Sequence, residues 1–412
     1  MSDDQASHQP TDEAEQGNYV GAGVLVALLA LLGVFSLPAL LFVLALIFVV
    51  FLHELGHYAT ARWTGMKATE FFLGFGPRIW SFRRGETEFG VKAIWAGAYV
   101  KIIGMNNLED VDPEDEDRTY RSKSTRSQVL VASAGSFMHF VVAFLLLGTM
   151  FLAYGRPTVD EDRWSLGRVL VGSPAADAGI EPGDRPVQIA GEPIEEWADL
   201  QEVVSSRPGE TVDVTVLRDG EEVSTVATLD AATLDDGTVQ GRLGVTFTDV
   251  VIDDVSIVEV VPTAATEFVD LGVQSVTGVA QFFTPSNLAD FAGRVFSAPG
   301  EDDATENPES RPVSVVGVVD IGADVASDNV WNAVYLFALF NIFIGIFNLA
   351  PLPPLDGGHI AVALYERVRT RKGEERYRID YERLLPVAYG VFMVLVFFGL
   401  GALWLDLANP LN

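Results

Sequence analysis

Two histidines and a glutamate stand close together in one apolar run of the chain. His53, Glu54 and His57 form an H-E-x-x-H pattern within the stretch from Val49 to Tyr58. Helical residues four apart share one face, so the two imidazoles can bind one metal ion while the glutamate beside them acts as general base for a water. Because ionisable residues in a membrane segment are costly, they usually mark a functional site. The pattern therefore predicts a metal-dependent hydrolase site inside a bilayer.

The composition predicts membrane segments that alternate with acidic aqueous parts. The 412 residues are 49% hydrophobic, yet the formal net charge is -30. Acidic residues outnumber basic ones by 57 to 27, which is typical of proteins that stay soluble in concentrated salt, and we therefore predict a halophilic protein. The chain lacks the basic stripe that nucleic-acid binding requires, so we expect no nucleic-acid partner. Because the chain has no cysteine, His, Asp and Glu remain as metal ligands.

The apolar runs predict a membrane helical bundle of about five spans. Residues 1–17 carry five acids and no Lys or Arg, which predicts a disordered acidic tail. Pro38 divides the first apolar region into two spans, with one kinked anchor as the alternative. The predicted spans are two within 18–60, which include the H-E-x-x-H pattern, a third at 127–153, a fourth within 331–360 and a fifth at 386–406.

The distribution of positive charge predicts how the chain crosses the membrane. Segment 61–126 holds 11 Lys or Arg and segment 361–385 holds 7, whereas the much longer segment 154–330 holds 9. Cytoplasmic loops carry the excess of Lys and Arg, so the first two segments are predicted to be cytoplasmic and the long acidic loop extracytoplasmic. We therefore expect a multi-pass protein of the cell membrane with a cytoplasmic amino terminus.

An aspartate after the fourth span could supply a third metal ligand. Three prolines between Pro351 and Pro354 cannot continue a helix, and Gly357 and Gly358 allow a tight turn. This turn would bring Asp356 to the depth of the two histidines. A His-His-carboxylate set leaves the fourth zinc position open to water, as catalytic zinc requires. The alternative is that Asp356 only caps the next helix.

With the H-E-x-x-H pattern and the turn that contains Asp356, the sequence resembles the site-2 proteases, which are intramembrane zinc metalloproteases. It especially resembles the bacterial branch that trims anti-sigma factors. The resemblance implies that His53, His57 and Asp356 bind Zn²⁺ and that Glu54 is the base. It also implies that Asn348 lies near the substrate or the developing oxyanion. The matching segments are H-E-L-G-H at 53–57, residues 72–77, residues 97–101, Ala134-Gly135, and N-x-x-P-x-x-x-L-D-G-G from Asn348 to Gly358.

The third span departs from the pattern of this family. It has Ser136 and His139 where the family usually has the proline and the asparagine of Gly-Pro-x-x-Asn. A substrate role for position 139 is therefore in doubt. We favour an additional polar contact within the bundle over a metal-binding role, because two histidines and an aspartate already fill the protein's share of the zinc shell.

Residues 61–126 are predicted to form a cytoplasmic or re-entrant β region. Apolar and polar residues alternate around glycines between residues 68 and 103, which indicates strands. The resemblance implies a membrane-associated β-hairpin that dips towards the zinc. An exposed strand edge there could pair with an unwound substrate backbone by β-addition, and an ordinary cytoplasmic hairpin is the alternative.

Residues 165–250 are predicted to form an extracytoplasmic α+β domain. Gly172–Ile180 and Pro182-Gly183-Asp184 resemble a circularly permuted PDZ domain, which implies peptide binding or filtering of substrates by size. A purely structural β-domain is the alternative.

Residues 251–330 are predicted to hold an amphipathic helix and an acidic linker. The helix is either interfacial or packed in the core, and its apolar residues are Val269, Val273, Val276, Ala280 and Phe283.

Together these features predict a polytopic zinc endopeptidase that cleaves peptide bonds in or near the transmembrane segments of other proteins. Its expected partners are single-span membrane proteins, the lipid bilayer and a peptide ligand of the PDZ-like domain. Two alternatives are a metal transporter and a catalytically silent membrane scaffold that displays the PDZ-like domain. The lack of repeated halves weakens the first, and the scaffold would need none of His53, Glu54 and Asp356.

Overall fold

The computed structural model describes seven stretches of the chain and divides it into two compact units. One unit comprises Met1–Met150 and Val258–Asn412, and the other comprises Phe151–Ile257. The predicted acidic tail at 1–17 and the predicted acidic linker at 298–312 lie outside the described residues. The described residues are 19–105, 108–160, 163–218, 220–233, 238–296, 313–371 and 373–408.

Two apolar helices open the first unit, α1 (Tyr19–Phe35) and α2 (Leu37–Trp63). The Ser36 hydroxyl between them accepts a hydrogen bond from the backbone N–H of Ala39 at 3.2 Å, which caps the start of α2. Pro38 lies in the first turn of α2, where its missing N–H costs no intrahelical hydrogen bond. The chain therefore forms two helices here and not one kinked helix.

A long β-hairpin, β1 (Ala68–Arg84) and β2 (Thr87–Ile102), follows α2 and precedes α3 (Thr125–Ala153). Residues 70–73 of β1 pair with two stretches of β2, residues 88–91 and 98–101, so the hairpin folds back on itself. The Tyr99 hydroxyl donates a hydrogen bond to Glu70 at 2.5 Å. Burial and this bond raise the pKa of Tyr99. The predicted strands are confirmed.

The second unit is built from short strands and two helices around its own core. Its main antiparallel sheet has the order β6 (Glu192–Pro193), β5 (Arg185–Ile189), β7 (Thr211–Arg218) and β8 (Glu221–Thr228). Val212, Val214 and Val216 of β7 are buried together with residues of the helix at 197–205. The elements are β3 (Arg156–Val159), β4 (Ser165–Val169), α4 (Pro174–Asp177), β5 (Arg185–Ile189), β6 (Glu192–Pro193), α5 (Trp197–Ser205), β7 (Thr211–Arg218), β8 (Glu221–Thr228), β9 (Asp230–Thr233), β10 (Val239–Arg242), β11 (Val245–Thr248) and β12 (Val250–Asp253).

A buried ion pair closes the turn before β5 in this unit. Arg218 donates to both carboxylate oxygens of Asp184, each at 2.7 Å, and Asp184 is 1% exposed. The same carboxylate accepts the backbone N–H of Glu181 at 2.9 Å. The Asp of the predicted Pro-Gly-Asp motif therefore joins a turn to the end of β7.

Six further α-helices complete the part of the first unit that the structure describes. They are α6 (Val260–Phe282), α7 (Pro285–Phe296), α8 (Val315–Asp328), α9 (Val330–Asn348), α10 (Asp356–Arg369) and α11 (Leu385–Ala408). The sequence did not predict α7 and α8. All five apolar residues of the predicted amphipathic helix are exposed, so protein does not cover that face of α6, whereas Val260, Ala264 and Leu271 on its other face are buried. An interfacial position for α6 stays a prediction.

Four helical segments of the described chain are long and apolar enough to cross a membrane. Between 6% and 39% of the most apolar stretch of each segment is buried by protein, which is consistent with helices whose remaining surface faces lipid. The α1 helix is shorter, and the count of five spans therefore stays a prediction. The four segments are Leu37–Trp63, Thr125–Ala153, Val330–Asn348 and Tyr381–Leu407.

Candidate active site

Three predicted ligands meet where α2 approaches the start of α10. One possible donor atom from each of His53, His57 and Asp356 lies within 4.8 Å of the others. The two Nε2 atoms are 3.2 Å apart, and Oδ2 of Asp356 lies 3.5 Å from Nε2 of His53 and 3.3 Å from Nε2 of His57. The three side chains are at least four-fifths buried.

The size of this triangle fits a tetrahedral zinc ion. Bonds of about 2.0–2.1 Å place neighbouring ligand atoms about 3.3 Å apart, which is the scale of the three distances. Oδ2 of Asp356 is buried and has no hydrogen-bond partner among the described residues. A buried carboxylate oxygen without a donor is costly, and a cation at the centre of the triangle would satisfy it.

The backbone of α3 orients the second histidine. Nδ1 of His57 lies 2.7 Å from the carbonyl oxygen of Val131. A carbonyl oxygen only accepts hydrogen bonds, so Nδ1 carries the proton and Nε2 of the neutral ring presents its lone pair to the other two ligands. Histidine ligands in metal sites are commonly oriented in this way.

A glycine of α3 gives the two imidazoles their space. A Cβ at Gly135 would lie 2.4 Å from Cε1 of His53 and 2.4 Å from Nε2 of His57. On the other side of the contact, a Cβ at Gly56 would lie 2.6 Å from the carbonyl oxygen of Ala134. Small residues on both helices therefore allow α2 and α3 to approach closely, as is common between membrane helices.

His139 makes the polar contact that we expected within the bundle. Its Nδ1 lies 3.0 Å from Oδ1 of Asn341 on α9, and Asn341 in turn donates to the carbonyl oxygen of Phe337 at 2.7 Å. The rings of His139 and His53 are 5.1 Å apart, although His139 is not one of the three clustered donors. His139 thus links α3 to α9 beside the candidate metal site.

The proline-rich turn between α9 and α10 positions Asp356. The α9 helix ends at Asn348, before the three prolines that cannot continue a helix, and Asp356 is the first residue of α10. A Cβ at Gly357 would lie 2.1 Å from the carbonyl oxygen of Leu349, so only glycine allows this close turn. Leu355, not Asp356, occupies the cap position, and the alternative of a purely capping role for Asp356 is wrong.

Of the two predicted catalytic side chains, Glu54 lies on the same helix as the two histidines, whereas Asn348 lies on α9, before the turn that leads to Asp356. Glu54 precedes Leu55 on α2, and its carboxyl group interacts with the backbone amide of Val100 on β2. Asn348 is the last residue of α9, where the chain turns towards Asp356. The strand that contains Val100 therefore lies beside the predicted base.

Three residues that shape this site, Val131, Gly135 and Asn341, have no role assigned from the sequence. Nothing in the sequence indicates that the Val131 carbonyl faces His57, because any residue offers the same oxygen. Gly135 lies in a run of small residues from Ala132 to Ser136, and this run was a usable signal of close helix packing. Asn341 is an isolated polar residue in an apolar span, and its sequence position alone does not indicate that it contacts His139.

Comparison with known proteins decides the family. Peptidase family M50 matches residues 41–395 of this chain. The chain belongs to peptidase family M50. Zinc metalloprotease Rip1 of Mycobacterium tuberculosis is 32% identical over 404 residues, which cover 90% of this chain and 97% of Rip1. Rip1 of Mycolicibacterium smegmatis is 31% identical over 411 residues, which cover 92% of this chain and 99% of that protein.

The predicted relationship to the site-2 proteases is therefore confirmed. This M50 peptidase is an intramembrane zinc metalloprotease and a multi-pass membrane protein, and the transporter and scaffold alternatives are not favoured. The PDZ domain of an SdrC-like protein from Listeria monocytogenes is 24% identical to 22% of this chain, with 94% of that domain covered and a TM-score of 0.19.

Proposed function

We propose that His53, His57 and Asp356 hold the zinc ion and that Glu54 is the general base of peptide hydrolysis. The observation that carries this proposal is the triangle of donor atoms with sides of 3.2, 3.3 and 3.5 Å. Bound zinc supplies Lewis acidity, which polarises the scissile carbonyl and makes a water acidic enough to lose a proton near neutral pH.

The protein groups carry the proton through the reaction. Glu54 takes a proton from the attacking water as the oxygen of this water bonds to the carbonyl carbon. When the C–N bond breaks, Glu54 delivers that proton to the leaving amine nitrogen. The side-chain amide of Asn348 donates a hydrogen bond to the carbonyl oxygen as negative charge develops on it.

We infer that the substrates are single-span membrane proteins cut in or near their transmembrane segments. Residues 98–101 of β2 pair with residues 70–73 on one side, and Val100 among them lies beside Glu54. An unwound substrate segment that adds to this strand would be held in extended form next to the base. Extension is needed because the hydrogen bonds of a helix shield its peptide bonds.

The orientation proposed from charge places the amino terminus in the cytoplasm and the PDZ-like unit outside, where it could bind peptide ligands. The absence of native cysteine allows a direct test with single cysteines at two exposed positions. Ser224→Cys on β8 should react with a membrane-impermeant maleimide in intact cells. Glu374→Cys should react only after the cells are permeabilised; the reverse pattern would refute this orientation.

The acidic excess is proposed to be an adaptation to concentrated salt. Thermal unfolding of the purified chain should shift to higher temperature as KCl is raised from dilute to molar concentration. A melting temperature that is independent of salt would contradict a halophilic origin.

The decisive experiment separates zinc binding from catalysis. Glu54→Gln should retain zinc and lose cleavage of a co-expressed tethered single-span substrate, because an amide cannot take the proton. Glu374→Gln, an exposed change, is the matched control and should cleave normally. Cleavage by Glu54→Gln at the wild-type rate would refute the assignment of Glu54 as the base.

The natural substrates can be found with the same variant. Membrane proteomes of cells that express the wild-type or the Glu54→Gln chain should differ in single-span proteins, which accumulate when cleavage stops. Accumulation of soluble proteins alone would contradict the proposed substrate class.

A further inference from the structure

The far end of α10 carries a buried charge that the reaction does not use. Glu366 lies ten residues after Asp356 on the same helix, and its side chain is 4% exposed. Its Oε2 lies 3.5 Å from Arg376 and 3.3 Å from Arg378, while Oε1 accepts the backbone N–H of Ile379 at 3.0 Å. The segment that follows α10 therefore folds back and encloses this carboxylate.

The same two arginines reach the segment that begins α3. Arg376 donates to the carbonyl oxygen of Lys123 at 2.6 Å and to the side chain of Gln128. Arg378 donates to the carbonyl oxygen of Arg121. Each guanidinium thus joins Glu366 of α10 to the chain at or just before the first turns of α3.

Gln128 is fixed on the α3 side of this connection. Gln128 is 2% exposed, and its side-chain amide donates a hydrogen bond to the backbone carbonyl oxygen of Tyr120 at 2.9 Å. The backbone carbonyl oxygen of Gln128 accepts a hydrogen bond from the Tyr120 hydroxyl at 3.2 Å. Val131, which orients His57, lies one helical turn further along α3. The connection therefore ends close to the histidine side of the candidate metal site.

We propose that Glu366, Arg376, Arg378 and Gln128 form a clasp that positions Asp356 relative to His53 and His57. Asp356 and the histidines belong to different helices, and the proline-rich turn separates α10 from the end of α9. The clasp fixes α10 to α3, and α3 in turn fixes both imidazoles through Val131 and Gly135. These are positioning residues, and the inference rests on the proposed zinc ligation.

A buried, doubly paired carboxylate suits this task. Removal of one partner from a buried ion pair leaves an uncompensated charge, so a shift of α10 that separates Glu366 from the two arginines is costly. Arginine is suited to it because its planar guanidinium donates to two acceptors at fixed angles. Loosening the clasp would let α10 shift, and the zinc site would lose its third ligand before it lost the two imidazoles.

The test measures zinc affinity of the full chain in lipid nanodiscs by competition with a chelator. Glu366→Gln breaks the clasp on the α10 side and Gln128→Leu breaks it on the α3 side. Each should weaken zinc binding by about 10-fold or more, as changes to residues that orient metal ligands commonly do. Cleavage should recover towards the wild-type kcat when zinc is raised, because Glu54 is untouched.

Arg371→Ala is the matched control, since Arg371 lies in the same segment and is 83% exposed. It should bind zinc as the wild type does. Affinity is measured on the monodisperse fraction from size-exclusion chromatography, so poor folding of a variant does not obscure the result. Wild-type affinity in both Glu366→Gln and Gln128→Leu would overturn the clasp.

Failure of the proposed zinc ligand set can be distinguished from failure of the clasp. If His53→Ala binds zinc as tightly as the wild type, the proposed ligand set is wrong and the clasp falls with it. If His53→Ala loses zinc while both clasp variants keep it, only the clasp is refuted.

Discussion

Gly135 leaves no room for a side chain beside His57, because a Cβ at position 135 would lie 2.4 Å from Nε2 of that histidine. The same Cβ would lie 2.4 Å from Cε1 of His53. The surface of α3 thus forms one wall of the candidate metal site without supplying a ligand.

Replacing this glycine should therefore damage the metal site directly. Gly135→Ala is expected to lower zinc affinity by about 10–100-fold, because both imidazoles must move. Overpacking should also cost about 1–3 kcal/mol of stability. Gly148→Ala on the same helix is the control, since its Cβ would meet its nearest neighbour at 3.9 Å. Chelator competition would show the difference, and equal affinity in the two variants would contradict it.

The pair of His139 and Asn341 should behave as a coupled buried unit. Asn341→Leu leaves the Nδ1 group of His139 buried without its partner, which should cost about 1–3 kcal/mol. Replacing both residues by leucine should cost less than the single change, because neither polar group is then left unpaired. Thermal unfolding in nanodiscs measures the loss of stability in each variant. The exposed Asn332→Leu on α9 is the control. Strictly additive losses would argue against coupling.

The turn of the β-hairpin should give the protein a local sensitivity to acid. Glu86 lies 3.2 Å from Arg62 at the end of α2 and 2.5 Å from Arg118, and its hydrogen bond to Arg118 lowers the pKa of Glu86 to about 2. Because the folded pKa is below the unfolded value of about 4.5, this stabilisation is present above pH 4.5 and is lost as pH falls towards 2.

We therefore expect the wild type to melt at a slightly higher temperature than Glu86→Gln at pH 6, and the two to converge near pH 2. The difference should be small, because Glu86 is well exposed to solvent. Exposed Glu374→Gln serves as the control and should show no such convergence. A difference that grows as pH falls would have the wrong sign for this mechanism.

In the second unit, the pair of Asp184 and Arg218 should be important for stability. Asp184→Ala removes one partner from a buried, doubly bonded ion pair, which typically costs about 3–5 kcal/mol. Limited proteolysis of the full chain should then cut within Phe151–Ile257 much sooner than in wild type. Asp213→Ala, on the exposed face of β7, should leave the cleavage rate unchanged.

Much of the architecture could be predicted from local patterns. The third and fifth spans were predicted at 127–153 and 386–406, and the structure has α3 at Thr125–Ala153 and α11 at Leu385–Ala408. Apolar runs of this length have few alternatives in a bilayer. The end of α9 at Asn348 was predictable because prolines cannot continue a helix.

The remaining features depend on contacts between residues far apart in the chain. No local pattern could connect Glu366 with Gln128, since the connection passes through two arginines and the fold of the intervening segments. The apolar face of α6 was also ambiguous, because helical spacing of valines is the same whether protein or lipid covers them. Amphipathic periodicity gives the face of a helix but not its neighbour.

The break between α9 and α10 has a further consequence for a protein that works in lipid. A helical span can tilt when the thickness of the bilayer changes. Had α9 continued unbroken to Asp356, the direction of the carboxylate would follow the axis of that span. Because the chain turns after Asn348 and begins a new helix at Asp356, the position of this carboxylate depends on the turn and on the contacts of α10, and not on the axis of α9 alone.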